Sequence, residues 1–407
     1  KLNSLTDQSI KVIKSIDEKI KFKIFSRKNN SANIKSLIDL YKFENSNVEV
    51  QLIDVDVRPD LVKANSITQS PTIIIESGKK RESVLRMREL EITNGVVKAT
   101  REKNPVVYYL TGHGEASLSG ESGEGLKFFS SLVVNSSYEL RELNLLEVNA
   151  IPKDADVVML WGPKDALSQK GLSVLDSYMA NNGRLIVSLN PEFNTPRLKR
   201  LRDWLMTWGV RIKNDLVVDK ISHVNGSNGT IPLIKKFSAK HTITDHLKAQ
   251  LFLPLASSVE FSNSPMNKGE MIELMQSSTG SWGETNPLEF ISKSLEFTPG
   301  SDVQGPINLM GAWSSKDTGS KIVALGNSTL VTNAYQNYTG NFLIVLNSIS
   351  WLANEGRLVS FNQPLLADQP VFISAPQQGA IFYFSVIITP ILLASLALFS
   401  FFRRRKL

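Results

Sequence analysis

The sequence predicts an α/β protein held on a membrane anchor. Two successive stretches alternate strand and helix patterns, the strands of the second stretch are near-continuous apolar runs, and an uncharged apolar segment closes the chain. With 407 residues there is room for more than one domain. The start at Lys1, without Met, points to sequence upstream of it. Cysteine is absent, which excludes disulfides, thiolate catalysis and thiolate zinc sites. The net charge of +7 owes much to Arg403, Arg404, Arg405 and Lys406, and the rest of the chain is close to balanced. A nucleic-acid surface, with its clustered basic stripe, is therefore not expected.

The first unit, residues 1–102, opens its pattern with IKFKIFSR (20–27) as a strand. SANIKSLIDLYKF (31–43) follows as a helix with Ser31 as N-cap. VEVQLIDVDV (48–57) and PTIIIESG (71–78) are the next strands, and ESVLRMREL (82–90) pairs back across Gly78-Lys79-Lys80. EITNGVVKATRE (91–102) closes the unit as a helix. This order resembles a thioredoxin-like fold without a redox pair. Ser70-Pro71-Thr72 sits where that fold places its cis-proline, and an ordinary strand-start proline is an equal reading.

The second unit spans 103–361. PVVYYLTG has the composition of a parallel strand buried on both faces. A helix through GLKFFSSLVVNS, the strand YELRELNL and the buried strand DADVVMLWGP (154–163) follow. LSQKGLSVLDSYMANNG (167–183) is a helix capped by Ser168 and stopped by Gly183, leading to the strand RLIVSLNP (184–191). Such a succession implies an open, doubly wound sheet with right-handed crossovers. Residues 210–320 turn rich in Gly, Ser, Asn and Pro, which predicts a β-rich insertion. The α/β pattern resumes with KIVALGNSTLV (321–331), a helix over 340–356 and the strand RLVSF (357–361). On that helix Trp351 and Leu352 join Leu343, Leu346 and Ile349 in an apolar stripe that predicts core.

Residues 362–379 form a linker to the membrane segment. AIFYFSVIITPILLASLALFSFF (380–402) has no charge, and as one α-helix it would span roughly 34 Å, enough to cross a bilayer. Pro390 falls mid-span, where it should kink the helix and mark a contact with a membrane partner. The tail 403–407, with Arg403, Arg404 and Arg405, predicts a C-terminus in the cytoplasm and a large periplasmic or extracellular body, held in a bacterial inner membrane.

Catalytic patterns are few. In YYLTGHGE (108–115) a strand runs into a turn carrying Gly112, His113, Gly114 and Glu115. A carboxylate-oriented base is one reading and a glycine turn at the ligand-binding edge of the sheet is the simpler one. GESGEGLK (120–127) misses the phosphate-loop pattern, because Leu126 stands where lysine should, Lys127 is displaced by one and followed by Phe128, and the hydroxyl is lost. HTITDH (241–246) spaces His241 and His246 badly for a shared metal, His223 lies in a glycine-rich loop, and Ser188 has no nucleophile elbow. No cofactor or metal is expected.

Three stretches together resemble the GldG-type auxiliary subunits of ABC transporters, of gliding-motility systems and uncharacterised exporters. They are YLTGHGEAS (109–117), IVALGNSTLVTNAYQNYTGNFLIVLNSISWLANEGRLVSF (322–361) and the terminal FFRRRKL; SLTDQSIKVIKSI (4–16) fits as well. The resemblance implies a membrane-anchored, non-catalytic subunit beside an ABC permease and a cytoplasmic ATPase. Its outer body would meet substrate, another protein or cell-envelope material. It also implies a class I glutamine amidotransferase-like fold for the second unit, whose cysteine nucleophile is missing here. The rival expectations are a membrane-tethered hydrolase or carbohydrate-active enzyme using His113 and Glu115, and an extracytoplasmic small-ligand sensor.

Overall fold

The computed structural model describes residues 4–101, 103–193, 196–245, 247, 249–262, 268–292, 294–354 and 381–404. The expected strand at 357–361, the linker 362–379, His246 and Arg405 lie outside the described residues.

The first unit contains α1 (Asp7–Lys14), β1 (Ile20–Ser26), α2 (Lys28–Glu44), β2 (Val48–Asp54), α3 (Pro59–Ala64), β3 (Thr72–Ser77), β4 (Lys80–Val84) and α4 (Glu89–Thr100). Its sheet has the order β2-β1-β3-β4, with β1 and β2 parallel and the other pairs antiparallel. The Ser70–Pro71 peptide is cis. Two expectations shift here. Helix α2 begins after Arg27, and Ser31 lies inside it with its hydroxyl donating to Lys28 O at 2.8 Å, so Ser31 is not the N-cap. The hairpin closes tightly at Gly78 (φ 55°), so β4 starts at Lys80 and ends before the arginine-rich stretch expected to belong to it.

The second unit is built on one eight-stranded sheet. Its parallel part uses β5 (Val106–Thr111), β6 (Glu139–Asn144), β7 (Val157–Trp161), β8 (Arg184–Ser188) and, late in the chain, β19 (Lys321–Leu325). Between them run α5 (Lys127–Asn135) and α6 (Gln169–Ala180), and α7 (Lys199–Thr207) follows β8. Ser168 caps α6, accepting from Gly171 N–H at 3.0 Å. At the other end Asn182 takes the left-handed conformation (φ 60°); Gly183 is required instead because a Cβ there would lie 2.5 Å from Tyr178 O.

Short strands fill the next hundred residues: β9 (Val210–Ile212), β10 (Leu216–Asp219), β11 (Leu233–Ile234), β12 (Lys236–Phe237), β13 (Leu251–Phe252) and β14 (Val259–Phe261). Then come β15 (Glu270–Gln276), β16 (Ser281–Glu284), α8 (Pro287–Ser292), β17 (Val303–Gln304), β18 (Asn308–Ser314), β19 (Lys321–Leu325) and α9 (Thr339–Leu352). The large sheet runs β12-β15-β18-β19-β8-β7-β5-β6. Strands from this β-rich stretch join the same sheet. β18 is buried along most of its length and pairs antiparallel with β19, and β15 and β12 extend the same sheet outward. Within the parallel part the chain order is the 2-1-3-4-5 of a doubly wound sheet, with its switch point between β5 and β7.

Alternation of side chains splits the core in two. Val107, Tyr109, Met159 and Ile186 face α5 and α9, in a cluster that continues into the first unit through Ile92 and Val96 of α4. Tyr108, Val158, Leu185 and Val187 face α6 and α7.

The C-terminal segment is helical but not as one regular helix. A π-helical stretch Tyr383–Ile388 abuts α10 (Thr389–Arg404), and Thr389 N–H reaches back to Phe384 O, five residues away. Pro390 explains the widening: it has no N–H, and its ring would clash with the carbonyl of Val386 in a regular turn. Among the described residues no helix is long and apolar enough to cross a membrane, which departs from the single span expected over 380–402. Every residue from 381 to 398 is exposed.

Candidate functional site

The switch point gathers the first motif. β5 ends in Gly112 (φ 109°), and a Cβ there would sit 2.5 Å from Asn144 Oδ1; Gly114 (φ 80°) turns the chain again. Between them His113 O accepts from Lys164 N–H at 2.7 Å and Asp165 N–H at 2.9 Å, so the loop after β5 is joined to the loop after β7. Glu115 folds back and its Oε2 accepts from His113 N–H at 2.7 Å, while Tyr109 donates its hydroxyl to Ala116 O at 2.7 Å. The crevice where doubly wound sheets take ligands is closed by these bonds.

His113 and Glu115 do meet, with Nδ1 and Oε1 3.8 Å apart and both side chains buried. Neither ring nitrogen, nor Glu115 Oε1, has a hydrogen-bond partner among the described residues. Burial raises the Glu115 carboxyl above the usual carboxylate range, opposed by the backbone N–H groups it accepts and by His113. A carboxylate beside an imidazole can orient a base, but a base needs a nucleophile in reach. The Ser188 hydroxyl, wholly buried at the end of β8, likewise has no partner and so is not bonded to His113.

The glycine-rich loop after this turn is folded onto itself. Leu126 N–H donates to Ser117 O, Gly125 N–H to Ser122 O, and Phe128 N–H to Asn333 Oδ1 at 3.0 Å. Asn333 Nδ2 donates in turn to Gly120 O and Ser122 O, both at 2.8 Å. A phosphate cradle needs free amides. Here the amides of Gly120, Gly125, Leu126 and Phe128 are engaged, and Lys127 is paired with Glu121.

The late motif, GNS with its following asparagines, uses its polar atoms in the same way. Asn327 donates to Pro254 O and accepts from Leu330 N–H. Ser328 O accepts from the Trp161 indole at 2.8 Å, and its N–H and hydroxyl engage Asn190. Asn341, fully buried on α9, accepts from Phe252 N–H at 3.2 Å and donates to Phe252 O and Leu330 O, both at 3.1 Å. Asn347 donates to Ile243 O at 3.0 Å. The three asparagines fasten β13 and its neighbouring loops, while Ser328 ties the ends of β7 and β8 together. The stretch was legible as a signature, but the tasks of the individual asparagines were not, because their partners lie up to a hundred residues away.

The remaining candidates are dispersed. His241 Nδ1 accepts from Ile243 N–H at 3.3 Å, and its ring meets Trp351 edge-on at 4.9 Å; burial and the Lys321 charge push its pKa down to about 4. Trp351 is half-buried at the rim, with Lys321 Nζ 4.5 Å from its ring centre, while Leu343, Leu346, Ile349 and Leu352 form the buried stripe. Among the described residues no cluster of three or more His, Asp or Glu could hold a metal.

Fold and site together define an α/β body on a doubly wound sheet whose signature residues hold its own loops together. The chain belongs to the family described as an ABC-type uncharacterized transport system, which it matches over residues 104–347, and a transporter-associated accessory role comes with that membership. No curated protein matches. Among solved structures the chain is similar to the mmIFT52 N-terminal domain (14% identity, 61% of this chain and 97% of that one, TM-score 0.44). It is also similar to a putative ThuA-like protein from Bacteroides uniformis (13% identity, 62% and 93% covered, TM-score 0.36). Residues amounting to 21% of the chain align with 84% of the thioredoxin Deadhead from Drosophila melanogaster (24% identity, TM-score 0.18).

Proposed function

We propose that the chain is a membrane-anchored, non-catalytic auxiliary subunit that docks on the permease of an ABC transport complex. The observation that carries the anchoring is the run of mostly apolar, exposed side chains from Ile381 to Leu398, which none of the other described residues covers. Such a surface calls for lipid or another apolar helix. α10 alone, at 16 residues, would reach about 24 Å, short of the roughly 30 Å of a bilayer core. Taken with the abutting π-helical stretch it comes close to that thickness. The widened turn at Pro390 frees backbone carbonyls that a neighbouring permease helix would satisfy. Arg403 and Arg404 would then lie at the cytoplasmic face, with the body on the far side of the membrane.

The thioredoxin-like reading of the first unit rests on its strand order and on the placement of Pro71, and the unit would serve as a scaffold. For the accessory role, support comes from family membership and from signature asparagines engaged with backbone. Deleting residues 381–407 should release the chain from membranes and from its partners. Retention of both after deletion would remove the docking role.

A second reading has an observation of its own. The unpartnered atoms of His113 and Glu115, at the place where doubly wound sheets bind ligands, favour a small-ligand sensor whose crevice is closed here. A ligand at a hundred times its Kd would stabilise the chain by about 2.7 kcal/mol in a thermal-shift panel. If nothing in the panel shifts the transition, the accessory role stands alone.

A further inference from the structure

The outer edge of the large sheet is only partly covered. β12 is two residues long and pairs with β15 at Met275 and Gln276; one further bond runs from Ser238 N–H to Leu274 O at 2.9 Å. From Glu270 to Glu273, β15 pairs with β18 on one side, and among the described residues no strand pairs with it on the other. Among the described residues Ser238 makes the last backbone bond to β15, and a cleft of about 390 Å³ lies beyond it. Phe237, Met271 and Ile272 line it half-buried, while Lys236 and Lys240 stand exposed at its rim with no ion pair among the described residues. Glu273 is engaged by Gln276 Nε2 at 2.7 Å.

We propose that this cleft receives an extended segment of a partner protein, with alternating apolar and acidic side chains, as an added strand on β15. Backbone groups along an uncovered edge supply affinity for any extended chain, and the side chains around it supply selectivity. Apolar residues of the segment meet Phe237 and Ile272, which pack on the same side of the sheet, and its carboxylates meet Lys236 and Lys240. A second copy of this chain would bring its own Lys236 and Lys240 against the same two lysines, whereas Glu270 and Glu273 are already engaged by Lys316 and Gln276.

The test uses the full chain in mild detergent with two synthetic peptides, one alternating valine and glutamate, the other valine and lysine. The acidic peptide should bind, protect the amides of 270–273 from exchange, and weaken as salt rises. A double variant, Lys236→Glu with Lys240→Glu, should bind it about tenfold more weakly. An unchanged unfolding curve for that variant would show that the fold is intact, as two exposed lysines predict. Absence of binding, equal binding of both peptides, or protection away from 270–273 would overturn the proposal. So would a concentration-dependent dimer that protects the same amides without peptide.

Discussion

Asn341→Ala tests whether the late motif is structural. The side chain is fully buried, and truncation deletes three bonds to backbone groups of Phe252 and Leu330. Each such bond is worth about 1 kcal/mol net, and more where the abandoned group stays dry. The expected loss is about 3–4 kcal/mol, large for a single substitution. Asn341→Asp should do no better, because a carboxylate keeps the acceptor but loses both donations and adds a buried charge. Equilibrium urea unfolding of the full chain in detergent would measure the loss. Hydrogen exchange should show it locally, at 251–253 and 329–331. A change below about 1 kcal/mol would refute the reasoning, as would lost transport with unchanged unfolding, since Asn341 would then act on a partner.

Glu115→Gln keeps an acceptor for His113 N–H and removes a titration. The folded-state pKa of Glu115 is raised, so its stabilising contribution is full below the ordinary carboxylate value and fades as pH rises through the folded value. The variant's stability should therefore be flatter across weakly acidic pH and should gain on wild type above it, as unfolding curves at several pH values would show. Gly125→Ala should destabilise the loop, because its Cβ would sit 2.1 Å from Gly120 O, whereas Gly123→Ala, whose nearest neighbour is 3.6 Å away, should be tolerated; thermal unfolding of the two variants side by side checks the contrast. Arg202→Met should cost several kcal/mol, since the buried guanidinium donates to Ile212 O, Lys213 O and Asn190 O; a urea midpoint equal to wild type would contradict this.

Strands buried on both faces were legible because VVYYL and VVML are short apolar runs, rich in β-branched or aromatic residues and bounded by turn signals, and Ser168 was legible as a cap. Pairing partners were not. β18 is apolar enough to announce a central strand, but its place between β15 and β19 depends on contacts that no local pattern encodes. Helix α7 carried a signal that went unread: Leu201, Trp204, Leu205 and Trp208 share one face beneath a heavily charged surface. At the switch point the adjacency of His113 and Glu115 was visible, whereas their burial follows from Lys164 and Asp165 closing over them, some fifty residues away. The break at Pro390 was foreseeable as a kink, although its form, a π-helical turn ahead of the proline, was not.

The central claim is the accessory role at a transporter, and the most direct test is purification of the tagged full chain from native membranes in mild detergent, with mass spectrometry of its companions. A permease and an ATPase in fixed ratio, lost on deletion of 381–407, is the predicted result. A chain that purifies alone across several detergents would contradict it.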